Sequence, residues 1–159
     1  MSEPLAGVTI RRATREQAEE VARIVREGFQ TVADEIGIDI PPVHESTAEV
    51  LPSFDAGEIT LVAETPDGEL VGTVRGERMD GGSVMVRRLA VLPAWRGRGI
   101  ARALMLELER AYPDTNRFEL FTGAGAIGPL GLYESLGYRL MEPRETGNVP
   151  LVYLEKCID

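Results

Sequence analysis

Residues 58–91 constrain the fold more than any other part of the chain. They read as three extended runs in succession: EITLVAE (58–64), ELVGTVRGE (69–77) and VMVRRLAV (84–91). Apolar and β-branched residues fill each run, which is the pattern of half- or fully buried strands. TPDGE joins the first two, and its Asp67-Gly68 pair suits a tight hairpin turn. MDGGS joins the second to the third. Three strands in a row leave no chain between them for crossover helices. A simple alternating βαβ sheet is therefore excluded, and an antiparallel hairpin unit has to stand at the centre of the domain.

The flanking segments supply helices. VTIRRA (8–13) reads as a first strand, and Thr14 with Gln17 fits a capping box. Ala18, Val21, Ala22, Val25 and Phe29 recur at helical spacing, which predicts a helix to about Phe29. Segment 30–57, with Pro41, Pro42 and Pro52, is indeterminate apart from a short helix between its prolines. Ile100, Leu104, Leu108 and Ala111 predict a helix over 98–111. FELFT (118–122) follows as a strand, then a helix over Leu130–Leu136 closed by Gly137, then strands at 138–141 and 149–155. The order is β-α-(α)-β-β-β-α-β-α-β-β, a mixed α/β domain of the α+β type. No linker or internal repeat divides it, so residues 1–159 are read as a single domain.

The chain carries a formal net charge of −9. That acidity argues against binding nucleic acid, whose phosphates need a basic surface, and suits a cationic amine. It serves solubility equally well. No apolar run approaches the roughly 20 residues that span a bilayer, and the N-terminus lacks the pattern of a signal peptide. One cysteine, Cys157, allows no internal disulfide. A cytoplasmic protein that binds neither membrane nor nucleic acid is expected. No His/Cys/Asp spacing suits a metal.

Against this acidic background, no Asp or Glu occurs from Gly81 to Leu106, while Arg87, Arg88, Arg96, Arg98 and Arg102 do. Gly97 and Gly99 interrupt the arginines where the helix begins. Glycines let main chain approach a ligand, and a helix N-terminus stabilises an anion. Strand, glycine turn, helix start and flanking arginines together describe a pyrophosphate cradle.

The stretch LAVLPAWRGRGIARALM resembles the acetyl-CoA-binding motif of the GNAT N-acetyltransferase superfamily. Its Q/R-x-x-G-x-G/A signature is here Arg96-Gly97-Arg98-Gly99-Ile100-Ala101. Leu89-Ala90-Val91 and Pro93 match before it, LYESLGY (132–138) resembles the second common motif, and TIRRATREQAEEVARIV resembles the first strand and helix. The resemblance implies a mostly antiparallel central sheet flanked by helices and splayed between strands 84–91 and 118–122. It implies acetyl-CoA as cosubstrate, with main chain of Leu89, Ala90 and Val91 along the thioester and arm. Arg96 to Ala101 would hold the pyrophosphate.

The same resemblance implies acetyl transfer to a primary amine by direct attack in a ternary complex. Tyr133 matches the tyrosine that relatives use as general acid toward the leaving thiolate. The base is less determined. Some relatives carry a glutamate on the strand matching 84–91, where this chain has Met85, Arg87 and Arg88. Glu77 and Asp80 are weak candidates, and loss of the proton through water is an equal one. His44 reads as a surface residue of a segment that borders the acceptor in relatives. The acceptor is a small-molecule or protein amine. Oligomeric state stays open, although homodimers are common among relatives.

Two other readings compete. A non-catalytic acyl-CoA-binding module would explain the missing strand carboxylate. A dinucleotide-binding oxidoreductase would explain Gly123, Gly125 and Gly128, a G-x-G-x-x-G after a strand. Against the latter, Pro129 shortens the helix needed, and too little chain follows for a doubly wound sheet.

Overall fold

The computed structural model describes residues 7–123, 127–141 and 151–158. Its elements in chain order are β1 (Thr9–Arg12), α1 (Ala18–Ile36), α2 (Thr47–Asp55), β2 (Thr60–Glu64), β3 (Leu70–Arg78), β4 (Val84–Val91), α3 (Ile100–Ala111), β5 (Arg117–Gly123), α4 (Ile127–Ser135), β6 (Arg139–Leu140) and β7 (Leu151–Cys157). Short 3-10 turns occupy Arg15–Gln17, Pro41–His44 and Pro93–Trp95. The strands form one sheet in the order β1-β2-β3-β4-β5-β7-β6, with β4–β5 its only parallel pair among the described residues. This is the mixed, mostly antiparallel sheet flanked by helices that the three successive strands require.

The predicted capping box opens the 3-10 turn Arg15–Gln17, with the Thr14 N–H donating to Gln17 Oε1 at 3.0 Å, and α1 continues from that turn at Ala18. It runs on to Ile36, about two turns past Phe29. No breaker intervenes before Gly37, which closes the helix at φ +70° with its N–H on the Ala33 carbonyl. The rest of the indeterminate segment holds the proline turn and α2. α2 starts where Ser46 N–H and Oγ both meet Glu49 Oε1 at 3.1 Å.

α1 and α3 cover opposite faces of the sheet. The pairs Gly72↔Val91 and Thr73↔Ala90 set neighbouring residues on alternate sides. On one side, a Cβ added to Gly28 of α1 would lie 2.9 Å from the Ala90 Cβ. On the other, a Cβ on Gly72 would meet Ile100 and Leu104 of α3 at 3.1 and 3.2 Å. Val21, Ala22, Ile24 and Val25 of α1 and Ile100, Leu104, Met105 and Leu108 of α3 are buried against the strands. β3 lies between the two helices and is buried from Leu70 to Gly76.

Two irregularities interrupt the pairing of β4, one on each edge. β4 pairs with β5 only at Val84↔Phe118 and Met85↔Glu119. β5 instead pairs with β7 from Arg117↔Cys157 to Gly123↔Leu151. Past Met85 one edge of β4 has no strand partner among the described residues, and this is the expected splay. On its other edge, Arg75↔Arg87 and Thr73↔Ala90 set two steps on β3 against three on β4, a β-bulge. Arg88 at the bulge has φ +56°, the one positive φ of a non-glycine among the described residues. That region costs a residue with a side chain about 1–2 kcal/mol.

Some predicted boundaries move. α4 begins at Ile127, ahead of the predicted 130. Pro129 falls in its first turn, where a backbone N–H has no intrahelical acceptor to lose, so it does not delay the start. β6 is reduced to Arg139–Leu140, and β7, Leu151–Cys157, runs past the predicted end at 155, while its predicted start at 149 lies outside the described residues. Gly137 follows α4 at φ +97°, as its position predicts.

Candidate active site

The chain leaves β4 at Val91, makes the Pro93–Trp95 turn and enters α3 through Gly97 and Gly99, at φ +76° and +83°. Both lie in the left-handed region that favours glycine. A Cβ on Gly97 would meet no atom within 4 Å, so it would project into open space. The Ala103 N–H bonds the Gly99 carbonyl at 3.0 Å. The N–H groups of Ile100, Ala101 and Arg102 precede it and have no intrahelical acceptor, and they stand at the positive end of the α3 dipole.

This helix start opens onto a cleft of about 540 Å³. Leu89, Ala90 and Val91 line it from β4, and Arg96, Gly97, Gly99, Ile100 and Ala101 line it from the loop and α3. Tyr133 and Leu132 close it from α4. Nearly every residue predicted for the cofactor therefore borders one space with the predicted acid. The sequence did not show the opposite wall, which is Gly28, Phe29, Thr31, Val32 and Glu35 of α1. Its one signal was a glycine, Gly28, inside an otherwise apolar helical stripe.

The arginines divide their work in a way that spacing could not show. Arg96 Nη2 donates to the Gly28 carbonyl at 2.7 Å and Nε to the Val91 carbonyl at 3.3 Å. Its fork ties α1 to β4. Arg98 is absent from the cleft lining; its guanidinium stacks on the Trp95 ring, 4.7 Å from the centroid. Arg102 lines the cleft and donates to Ser135 Oγ at 3.4 Å.

Tyr133 is 8 % exposed. Burial pushes its phenol up to about 12, so it holds its proton throughout the neutral range. Its ring meets Tyr138 edge-on, centroids 6.2 Å apart. The Tyr138 hydroxyl donates to Glu109 Oε2 at 2.9 Å, and Lys156 Nζ donates to Glu109 Oε1 at 2.8 Å. Burial, and then the Glu109 carboxylate, drive the Tyr138 phenol well above its ordinary value.

Glu77 sits on β3 and accepts a 2.5 Å bond from Arg87 Nε. It does not line the cleft. Asp80 borders a separate depression at the far end of the sheet with Asp114 and Glu119. His44 Nε2 lies 2.7 Å from Asp39 Oδ1, both exposed. Among the described residues, no group of His, Cys, Asp and Glu is placed to hold a metal ion, and no helix is long and apolar enough to cross a membrane. Of the competing glycine motif, Gly123 ends β5, Gly128 lies within α4, and Gly125 is outside the described residues. A sheet with one parallel pair is not the doubly wound sheet that motif serves.

Known proteins share this arrangement. The family model of the acetyltransferase (GNAT) domain matches residues 56–140, more than half of the chain. An acetyltransferase of Pectobacterium atrosepticum is 36 % identical over 100 residues, covering 55 % of this chain and 70 % of its own. A GNAT-family acetyltransferase structure from Staphylococcus aureus Mu50 superposes with a TM-score of 0.79 at 15 % identity, covering 96 % of this chain and 99 % of that one. The PaiA N-acetyltransferase of Thermoplasma acidophilum, solved with coenzyme A, gives 0.77 at 18 % identity over 94 % and 98 %. With the domain match and the Pectobacterium relative, the splayed sheet and its glycine-opened cleft have their place: the chain belongs to the GNAT family of acetyltransferases.

Proposed function

We propose that the protein transfers the acetyl group of acetyl-CoA to a primary amine, by direct attack within a ternary complex. Its support is a single arrangement: the glycine-opened start of α3, the unpaired edge of β4 and the buried phenol of Tyr133 all border one cleft. Acetyl-CoA is the ligand of a solved phosphinothricin acetyltransferase from Sinorhizobium meliloti that shares the fold.

The residues fit that cosubstrate. Gly97 to Arg102 offer main-chain N–H groups and a positive helix end to the pyrophosphate, in space that a side chain on Gly97 would fill. Main-chain groups of Leu89 and Val91, on the strand edge that β5 leaves, hold the pantetheine arm as a neighbouring strand would. Bound acetyl-CoA supplies the activated acyl carbon. The amine forms the C–N bond as the C–S bond breaks, so one proton leaves nitrogen and one is needed at sulfur. Tyr133 holds a proton at Oη for that sulfur. A phenol raised to about 12 by burial is a weak acid, and a thiolate leaving in the same dry cleft is a correspondingly strong acceptor. Arg87 occupies the Glu77 carboxylate, so we assign the amine's proton to water.

Trp95 is the only tryptophan and lines the cleft, so its emission reports occupancy. Acetyl-CoA should change it saturably, and folded Gly97→Glu, which places a carboxylate in the phosphate space, should bind at least tenfold more weakly. Equal affinity in a folded Gly97→Glu variant would place the cofactor elsewhere.

A further inference from the structure

We infer that Glu45 is a positioning residue for acyl transfer, holding the β4 bulge in shape through Arg88. The inference rests on the proposed acetyl-CoA site. Glu45 lies between the proline turn and α2, and is 1 % exposed. Arg88 Nε donates to its Oε1 at 3.1 Å. Arg75 Nη2 lies 2.7 Å from its Oε2. One buried carboxylate thus grips both strands at the irregularity, since Arg75 pairs with Arg87 immediately before the bulge. Glu45 is itself fixed from α1, where Arg26 Nη1 donates to its main-chain carbonyl at 2.8 Å.

The grip falls where the backbone needs it. Arg88 takes φ +56°, a conformation that glycine adopts freely and arginine does not. Strain of this kind persists only where surrounding structure imposes it. The bulge calls for that backbone at Arg88, and the ion pair with Glu45 holds the side chain that carries it. The next residue, Leu89, lines the cleft, with Ala90 and Val91 after it. Relaxing Arg88 would turn the main-chain groups of Leu89 away from the acyl carbonyl and leave the glycine cradle of α3 untouched. Folding alone does not account for the choice of residues. Two arginines and a carboxylate are a costly way to fill a core, and similar apolar groups often serve as well.

The test uses [1-13C]acetyl-CoA bound to the whole chain, with the carbonyl resonance as the readout and Trp95 emission giving affinity. Arg88→Gly removes the side chain and keeps the positive φ. Arg88→Ala removes the side chain and disfavours that φ. Glu45→Gln removes the carboxylate. The expected result is a downfield carbonyl shift in the parent that Arg88→Gly retains and that Arg88→Ala and Glu45→Gln lose, each compared at saturating occupancy set from Trp95 emission. In an Arg88→Gly background, Glu45→Gln should then leave the shift in place. Should Glu45→Gln not fold, Glu45→Asp, which keeps the charge and shortens the reach to Arg88, takes its place and should lose the shift as well. Equal shifts in Arg88→Gly and Arg88→Ala, whether both kept or both lost, or a parent shift kept by folded Glu45→Gln, overturn the positioning role while leaving the cofactor site standing. A parent that does not bind acetyl-CoA overturns both.

Discussion

Arg96 donates a 2.7 Å hydrogen bond to the carbonyl oxygen of Gly28, 68 residues earlier in the chain. The bond joins the first helix to the glycine loop that leads into α3, and the same guanidinium reaches the Val91 carbonyl at 3.3 Å. The side chain of an arginine whose motif position reads as part of a phosphate cradle fastens the wall of the cleft.

Arg96→Lys separates the two roles. Lysine keeps the charge and lacks the planar fork that meets two carbonyls at once. Stability to urea should fall by about 1–2 kcal/mol, and acetyl-CoA affinity should fall with it. A lysine variant as stable and as tight as the parent would mean that charge alone matters at this position.

Gly28→Val addresses the other end of that bond. Even a bare Cβ there would lie 2.9 Å from the Ala90 Cβ, on a strand that cannot move aside cheaply. Overpacking of this kind costs about 1–3 kcal/mol. Urea unfolding should show that loss, and the lifted helix should weaken acetyl-CoA binding. Unchanged stability would show that α1 is not held against β4 at this contact.

Tyr133→Phe tests the acid. It removes the hydroxyl and keeps the ring against Tyr138, so kcat should drop by about 10²–10⁴-fold with acetyl-CoA affinity nearly unchanged. It also predicts a pH effect. The phenol's ordinary value of 10.0 is raised to about 12 in the folded protein by burial. The stability linked to this proton is therefore fully present below pH 10 and is lost as pH rises toward 12. Across those two units the loss is about 3 kcal/mol. Urea unfolding between pH 8 and 11.5 should fall more steeply in the parent than in Tyr133→Phe, all the more because Tyr133 also helps to raise the neighbouring Tyr138 phenol. Parallel curves would mean that the phenol is not buried in solution.

Much of the fold was legible in the sequence, for reasons that can be named. The hairpin unit at 58–91 was readable because strand period and turn residues act locally. The glycine turn into α3 was readable because Gly97 and Gly99 answer to backbone conformations that few other residues take. What stayed hidden depended on partners distant in sequence. The turns of α1 past Phe29 do carry Val32, Ala33 and Ile36 at helical spacing from it, a signal that a helix ending at about Phe29 passes over, and they end only where Gly37 permits. Glu45 looked like one more acid in an acidic segment until the fold set it against Arg75 and Arg88. Arg96 and Arg98 matched a motif by type, while their bonding was decided by Gly28 and Trp95. Glu77 stood as a candidate base because it ends a strand near the site, and nothing in its neighbours announced the 2.5 Å pair with Arg87.

The most direct test of the account is thiol release from acetyl-CoA, followed with and without a panel of primary amines, with acetylated product confirmed by mass spectrometry. The panel should span polyamines, amino acids, aminoglycosides and peptide amines. At least one amine should raise thiol release well above the rate with water alone, in stoichiometric step with acetylated amine, and Tyr133→Phe should suppress that increment. Tight acetyl-CoA binding with no amine-dependent release across the panel would contradict the account and leave a protein that binds acyl-CoA without transferring it.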